Sequence, residues 1–199
     1  MRNMTAEQLL SIVKLLVEKE LPVEQAQKLL DKGAMSDLCD FNFDGFDRDK
    51  FRQFGGLHPL VLEFLLDYNL TVEQMIAAGG YDWTNPDITS TLFAVKGEGQ
   101  HKRLAQLIHF DEDISSDEAK KRLYERGLRP GKFEELLGFG AKYPKTQKKF
   151  PIIALGSVAR LDGSGLVAYL DESDSRRNLS LDCRGDDWDR RCRFLAFAK

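Results

Sequence analysis

At 199 residues the chain has room for one large domain or two small ones, and its 42% hydrophobic content is that of an ordinary globular protein. A net charge of −3 excludes a phosphate-coating nucleic-acid binder, which needs a concentrated basic face. No stretch approaches the run of about 20 apolar residues that spans a bilayer, and Met1 to Glu20 is amphipathic, broken by Glu7, Lys14, Glu18 and Lys19, so neither a membrane span nor a signal peptide is expected and the cytoplasm is the expected compartment.

The first eighty residues read as short helices. Thr5-Ala-Glu-Gln8 is a capping box ahead of a stripe of Leu9, Leu10, Ile12, Val13, Leu16 and Val17. Pro22 suits a first helical position, and Val23, Ala26, Leu29 and Leu30 follow until Gly33. Leu60 to Leu66 is a further apolar stretch, and Thr71-Val-Glu-Gln74 repeats the capping box before a stop at Gly79-Gly80. These helices are expected to pack as a small module over residues 1–80.

Tyr81 to Gln100 changes texture: Asn85-Pro86, Gly97 and Gly99 mark turns among the anchors Trp83, Ile88, Leu92, Phe93 and Val95. Residues 81–102 are therefore read as a connecting segment. From Arg103 the pattern is mixed. A strand over Leu104–Phe110 precedes a helix capped by Ser115 or Ser116 and carrying Ala119, Leu123 and Tyr124. Pro130 is expected to open a second helix with Phe133, Leu136, Leu137 and Phe139, ending before Tyr143-Pro144. Four strands follow, over Pro151–Ser157, Val167–Leu170, Asn178–Asp182 and Arg191–Ala198. Strand, helix, helix and then several strands is an α+β order, with two helices beside a mostly antiparallel sheet over 103–199.

The tail has its own composition. Residues 150–198 contain no lysine, glutamine or methionine and one glutamate, Glu172, whereas arginine and aspartate occur seven times each. Upstream, fourteen lysines stand against seven arginines and twelve glutamates against twelve aspartates. Generic solvated charge does not require such a shift. A codon whose first two bases vary while the third stays C encodes none of Lys, Glu, Gln, Met or Trp, and readily gives Arg, Asp, Gly, Ser, Cys, Asn and Leu. Alternation accompanies the bias: in Asn178-Leu-Ser-Leu-Asp182 the leucines share one face and Asn178, Ser180 and Asp182 the other.

Gly127-Leu-Arg-Pro130, Glu134-Glu-Leu-Leu137, Phe150-Pro-Ile-Ile-Ala-Leu-Gly-Ser157 and Cys192-Arg-Phe-Leu-Ala196 together resemble the variable proteins of diversity-generating retroelements. The resemblance covers residues 103–199 and extends more weakly into 70–93. In such systems an error-prone reverse transcriptase randomises the adenines of a template repeat, and the copy replaces the 3′ end of the variable gene. Adenine-rich AAC codons then become the C-ending mixtures described above. The resemblance implies a C-type-lectin-like variable domain with scaffold residues such as Trp188, Phe194, Leu195 and Phe197 held in the core. It implies a hypervariable ligand-binding surface formed by Arg160, Asp162, Tyr169, Asp171, Asp174, Arg176, Arg177, Asn178, Ser180, Asp182, Cys183, Arg184, Asp186, Asp189, Arg190, Arg191 and Cys192. Arginine forks, carboxylates and a tyrosine on one face suit a macromolecular ligand, expected to be a protein.

Sugar-binding lectins hold calcium with Glu-Pro-Asn and Trp-Asn-Asp motifs. Here the chain has Asp187-Trp-Asp189 and no Glu-Pro-Asn. Asp40-Phe-Asn-Phe-Asp44-Gly45 matches the first half of an EF-hand loop, but Asp47 stands at position eight and Phe51 at position twelve. It reads either as a nonstandard calcium turn or as an acidic loop with inward phenylalanines. Cys39, Cys183 and Cys192 fit no zinc spacing, and His58, His101 and His109 have no recognisable nucleophile beside them. No metal, cofactor or catalytic residue is assigned. The expected function is non-catalytic recognition, with an enzyme on the related scaffold of formylglycine-generating (sulfatase-modifying) enzymes, or a constant adaptor, as the competing readings. Ligand identity and oligomeric state are left open.

Overall fold

A computed structural model describes residues 61–183, 185 and 187–199. The helices expected up to Gly33 and the Asp40–Phe51 loop lie outside the described residues. Chain order within them is β1 (Leu62–Asp67), α1 (Val72–Gly79), β2 (Trp83–Thr84), β3 (Gln100–His109), β4 (Ile114–Ser115), α2 (Ser116–Glu125), β5 (Leu128–Pro130), α3 (Phe133–Lys142), β6 (Ile152–Ile153), β7 (Ala159–Leu161), β8 (Ser164–Ser173), β9 (Arg176–Cys183), β10 (Asp187–Trp188) and β11 (Arg193–Ala198). The architecture is α+β, with one large, mostly antiparallel sheet and three helices among the described residues.

The sheet has nine strands, in the order β1-β3-β11-β6-β8-β9-β2, with β5 added on β11 and β7 on β8. Among the described residues, only the β11–β6 and β2–β9 pairs are parallel. Strands β4 and β10 form a separate two-stranded sheet, in which Trp188 lies opposite Ile114. Among the described residues, no helix is long and apolar enough to cross a membrane.

Two cores explain the apolar runs of the central strands. Leu195 and Phe197 of β11 join a cluster with Ile152, Ala168, Leu170, Leu179, Phe133 and Phe139, whereas Phe194 and Ala196 join Ile153, Val167, Ala119, Leu123 and Trp188 on the other face. Neighbours along a strand point to opposite faces, so a strand covered on both sides is apolar throughout. The first core also holds Phe93 stacked on Phe133 at 4.1 Å and Phe64 edge-on to Phe139 at 6.1 Å.

Helix boundaries follow capping chemistry. Thr71 Oγ1 accepts from the Gln74 amide while Gln74 Oε1 accepts from the Thr71 amide, and Gly80 ends α1 in a left-handed conformation at φ 57°. Ser115 Oγ accepts from the Glu118 amide at the start of α2. Pro130 does not open α3; it closes β5, opposite Ala196 of β11. The helix starts at Phe133 because Ser157 Oγ takes the Phe133 amide at 3.0 Å and Glu135 Oε2 takes the Lys132 amide at 2.8 Å. Glu135 is also bonded in a fork by Arg129 at 2.8 and 2.6 Å. Gly131 N donates to Leu195 O, and Gly156 N to Gly131 O, both at 2.7 Å. A Cβ on Gly156 would sit 2.6 Å from that Gly131 oxygen. The conspicuous Gly-Leu-Arg-Pro, Glu-Glu and Gly-Ser segments are thus one structural knot between β5, α3 and β11.

Two expectations upstream are corrected. Leu60–Leu66, placed among helices, contributes β1: Phe64 and Leu66 are buried and Leu65 is exposed, a period of two. Pairing of β1 with β3 puts it in the sheet. Tyr81–Gln100, read as a connection, also belongs to the sheet's structure, because Trp83–Thr84 pairs with β9 while Ile88 and Phe93 are buried in the first core.

The β8–β9 hairpin turns through Asp174 and Ser175, both with positive φ (51° and 64°). That is the requirement of a two-residue I′ turn, which glycine meets without the left-handed penalty. Ser175→Gly is expected to raise stability by about 0.5 kcal/mol, the left-handed cost of serine slightly exceeding the entropy cost of glycine; a fall in the midpoint of thermal unfolding would contradict this.

Candidate functional site

The register of β8 and β9 pairs Val167 with Asp182, Tyr169 with Ser180, Asp171 with Asn178 and Ser173 with Arg176. These residues share one face, which we call the outer face. Leu166, Ala168, Leu170, Leu179 and Leu181 alternate with them and point to the opposite side, where Ala168, Leu170 and Leu179 enter the first core. The outer face is apolar at Val167, beneath Trp188 and α2, and polar beyond it. Tyr169 marks the transition, its ring edge-on to Trp188 at 6.1 Å. Trp188 is 5% exposed and its indole donates to Ser116 Oγ at 2.8 Å. Its burial is as expected.

The outer face lines an open concavity of about 460 Å³ that includes Tyr169, Asp171, Asp174, Arg176, Asn178 and Ser180. Asn178 and Ser180 form its base, each nearly covered. Asn178 Nδ2 donates to Ser173 Oγ at 2.9 Å, and Ser180 Oγ to Asp171 Oδ1 at 3.4 Å. Burial raises the Asp171 carboxyl pKa against the lowering effect of Asn178 and Ser180, and burial together with the Asp171 charge raises that of Tyr169.

Asp171 also lines a second open concavity, of about 550 Å³, with Arg190, Arg191, Lys148, Lys149 and His109. The loop from Asp189 to Cys192 therefore lies alongside the hairpin face. It is held in place from below: Arg190 N donates to Asp113 Oδ1 at 3.0 Å, and Arg190 O meets His109 Nε2 at 2.7 Å. Arg191 pairs with Asp189 at 2.7 Å, and this hydrogen bond holds the Asp189 carboxyl below the usual range.

Several expected surface residues are elsewhere. Arg177 is on the inner side, 8% exposed. Its guanidinium donates to Gly79 O at 2.7 Å, Gly80 O at 3.0 Å, Gly140 O at 3.1 Å and Gln147 Oε1 at 3.1 Å, and lies over the Tyr81 ring at 5.0 Å. Cys192 is buried in the second core, two residues before Phe194 and in phase with it; burial and the adjacent Asp189 push its thiol pKa up to about 12. Arg160 and Asp162 belong to the β7–β8 hairpin, where Arg160 faces Gly165 and Asp162 takes a turn conformation with φ 50°. Cys183, exposed, sits opposite Leu166. These three are at the far end of β8 from Ser173. Arg184 and Asp186 lie outside the described residues.

Trp83 is the contributor that the tail's composition does not reveal. It pairs in parallel register with Asn178 and lines the smaller concavity. No local signal marks a two-residue strand joining β9 from so far upstream. No family model, curated protein or solved structure matches the chain.

The contrast between adjacent arginines is measurable. Arg177→Met should cost about 3 kcal/mol, because several buried carbonyl acceptors lose their donor at once. Arg176→Ala should stay within about 0.5 kcal/mol. Equal destabilisation in denaturant melts would overturn the assignment of opposite faces.

Proposed function

We propose that this protein is a non-catalytic binding protein whose C-type-lectin-like domain displays a hypervariable recognition surface on the outer face of β8–β9 and the adjoining Asp189–Arg191 loop. Retroelement mutagenesis would rewrite that surface, and the ligand is a macromolecule, a protein. The observation that carries the reading is the division within β8 and β9. Inner positions include Leu166, Ala168, Leu170, Leu179 and Leu181 together with the buried Arg177, while outer positions other than Val167 are Tyr169, Asp171, Ser173, Arg176, Asn178, Ser180 and Asp182. A C-ending codon can supply every residue of both sets, so the side of the sheet, not the codon, separates what can vary from what is held. Side chains that leave the core contacts untouched can change at small cost to stability.

The enzyme alternative is less well supported. A nucleophilic cysteine needs a depressed pKa, and Cys192 is buried with its thiol pushed the other way. Cys183 is exposed at the end of β9.

The test is in the neighbouring DNA. A near-repeat of the tail's coding sequence beside a reverse-transcriptase gene is expected. Differences between the copies should fall at template adenines and include the codons of Tyr169, Asp171 and Arg190, whereas the codon of Arg177 should be identical in both. Differences scattered over all four template bases, or a changed Arg177 codon, would refute the proposed division.

A further inference from the structure

Trp83 supplies the outer face with an exposed indole, whereas the tail's own tryptophan, Trp188, is buried. Trp83 is 47% exposed, and β2 fixes it beside Asn178 through backbone bonds such as Asn85 N to Leu179 O at 2.9 Å. Both Trp83 and Tyr169 line the smaller concavity, so two aromatic surfaces enclose a polar base. Its charged lining is Asp171, Asp174 and Arg176, two carboxylates against one guanidinium. Asp171 is the built-in one. Ser180 Oγ donates to its Oδ1 at 3.4 Å and Asn178 lies beside it, and the residue lines both concavities, with more acceptor sites than these neighbours fill.

We propose, on the reading that this face is a recognition surface, that the concavity accepts a lysine or arginine side chain of a partner protein, its cation resting on the Trp83 indole and paired with the Asp171 carboxylate. An indole is the strongest of the neutral aromatic cation acceptors. A basic side chain also offers an apolar stem to lie along Tyr169 while its head reaches the carboxylate. An acidic side chain would meet Asp171 and Asp174 with like charge. An aliphatic one would cover Asp171 without replacing the water it displaces. Trp83 precedes the biased segment 150–198, so the aromatic wall stays constant while Tyr169 and Asp171 lie within the part that changes.

The full chain, labelled with 15N, would be titrated with the acetylated amides of arginine, lysine, norleucine and glutamate while its two indole N–H signals are followed. Trp83 should shift saturably with the arginine and lysine probes at a Kd of about 1–10 mM, and Trp188, bonded to Ser116, should not move. Asp171→Asn should weaken binding about fivefold, and Trp83→Leu should abolish the accompanying shifts of the Tyr169 and Ser180 amides. The proposal is overturned if norleucine or glutamate amide moves Trp83 as far, if neither basic probe saturates, or if Asp171→Asn is without effect. Such a failure beside an intact adenine-mutated repeat would leave the face diversified but its occupant of another chemistry. Success without any repeat would leave a cation-binding face that does not vary.

Discussion

The fold on the hairpin side depends on one buried guanidinium. The last carbonyls of a helix have no intrahelical donors, and α1 carries no basic residue in its final turn. Arg177 supplies the missing charge and donors from across the sheet, bonding Gly79 O and Gly80 O with one nitrogen and Gly140 O and Gln147 Oε1 with the other. Gln147 continues the network by donating to Asp171 O and Asn178 O. One side chain therefore ties α1, α3 and the approach to β6 onto β9. The glycines are part of the device: a Cβ on Gly79 or Gly140 would lie 2.3 Å from Tyr81, the ring beneath the guanidinium.

The side chains of that network lie on the inner side of β9, so an exposed outer side chain such as Arg176 stands outside it. Arg176 and Arg177 are chemically identical neighbours with opposite duties. Arg176 can be exchanged without orphaning a buried acceptor, whereas loss of Arg177 strands several. The same asymmetry runs along β8, where Leu170 is sealed in the first core while Asp171 opens onto water. Rigidity below and permissiveness above are two consequences of a period-two strand covered on one side.

Much of this was legible from local chemistry. Thr71 and Ser115 announced their helices because a capping hydroxyl acts within three residues of itself. The strands β8, β9 and β11 announced themselves by alternation or by unbroken apolar runs. Composition and phase conflict at two positions, and the structure follows phase. Arg177 shares the parity of Leu179 and Leu181, and Cys192 that of Phe194 and Ala196, so both inward placements were present in the spacing and hidden by the habit of putting arginine and a tail cysteine outside. Leu62–Asp67 was obscured differently: with Leu62, Leu65 and Leu66 around Phe64, both periods fit, and only pairing with β3 decides. Trp83 and Pro130 depend on Asn178 and Ala196, partners 95 and 66 positions away along the chain, a tertiary override to which local propensity is blind.

On the proposed reading, the form of the outer face suits an extended ligand better than a metabolite. A small-molecule site encloses most of its ligand in a single cleft lined largely by apolar groups. Here two open concavities meet at Asp171, one framed by Trp83 and Tyr169 and the other by Arg190, Arg191 and two lysines. Neither surrounds an occupant, and together they present opposite electrostatic characters within one continuous surface. A protein segment can place a basic residue in the first and an acidic one near the second, gaining orientation from charge that neither concavity provides alone. Tyrosine, tryptophan and arginine are also the side chains that concentrate binding energy in such interfaces, because each buries large area with few freedoms lost or bonds through a rigid fork. A scaffold that fixes Trp83 and exchanges its neighbours would therefore keep affinity available while specificity changes.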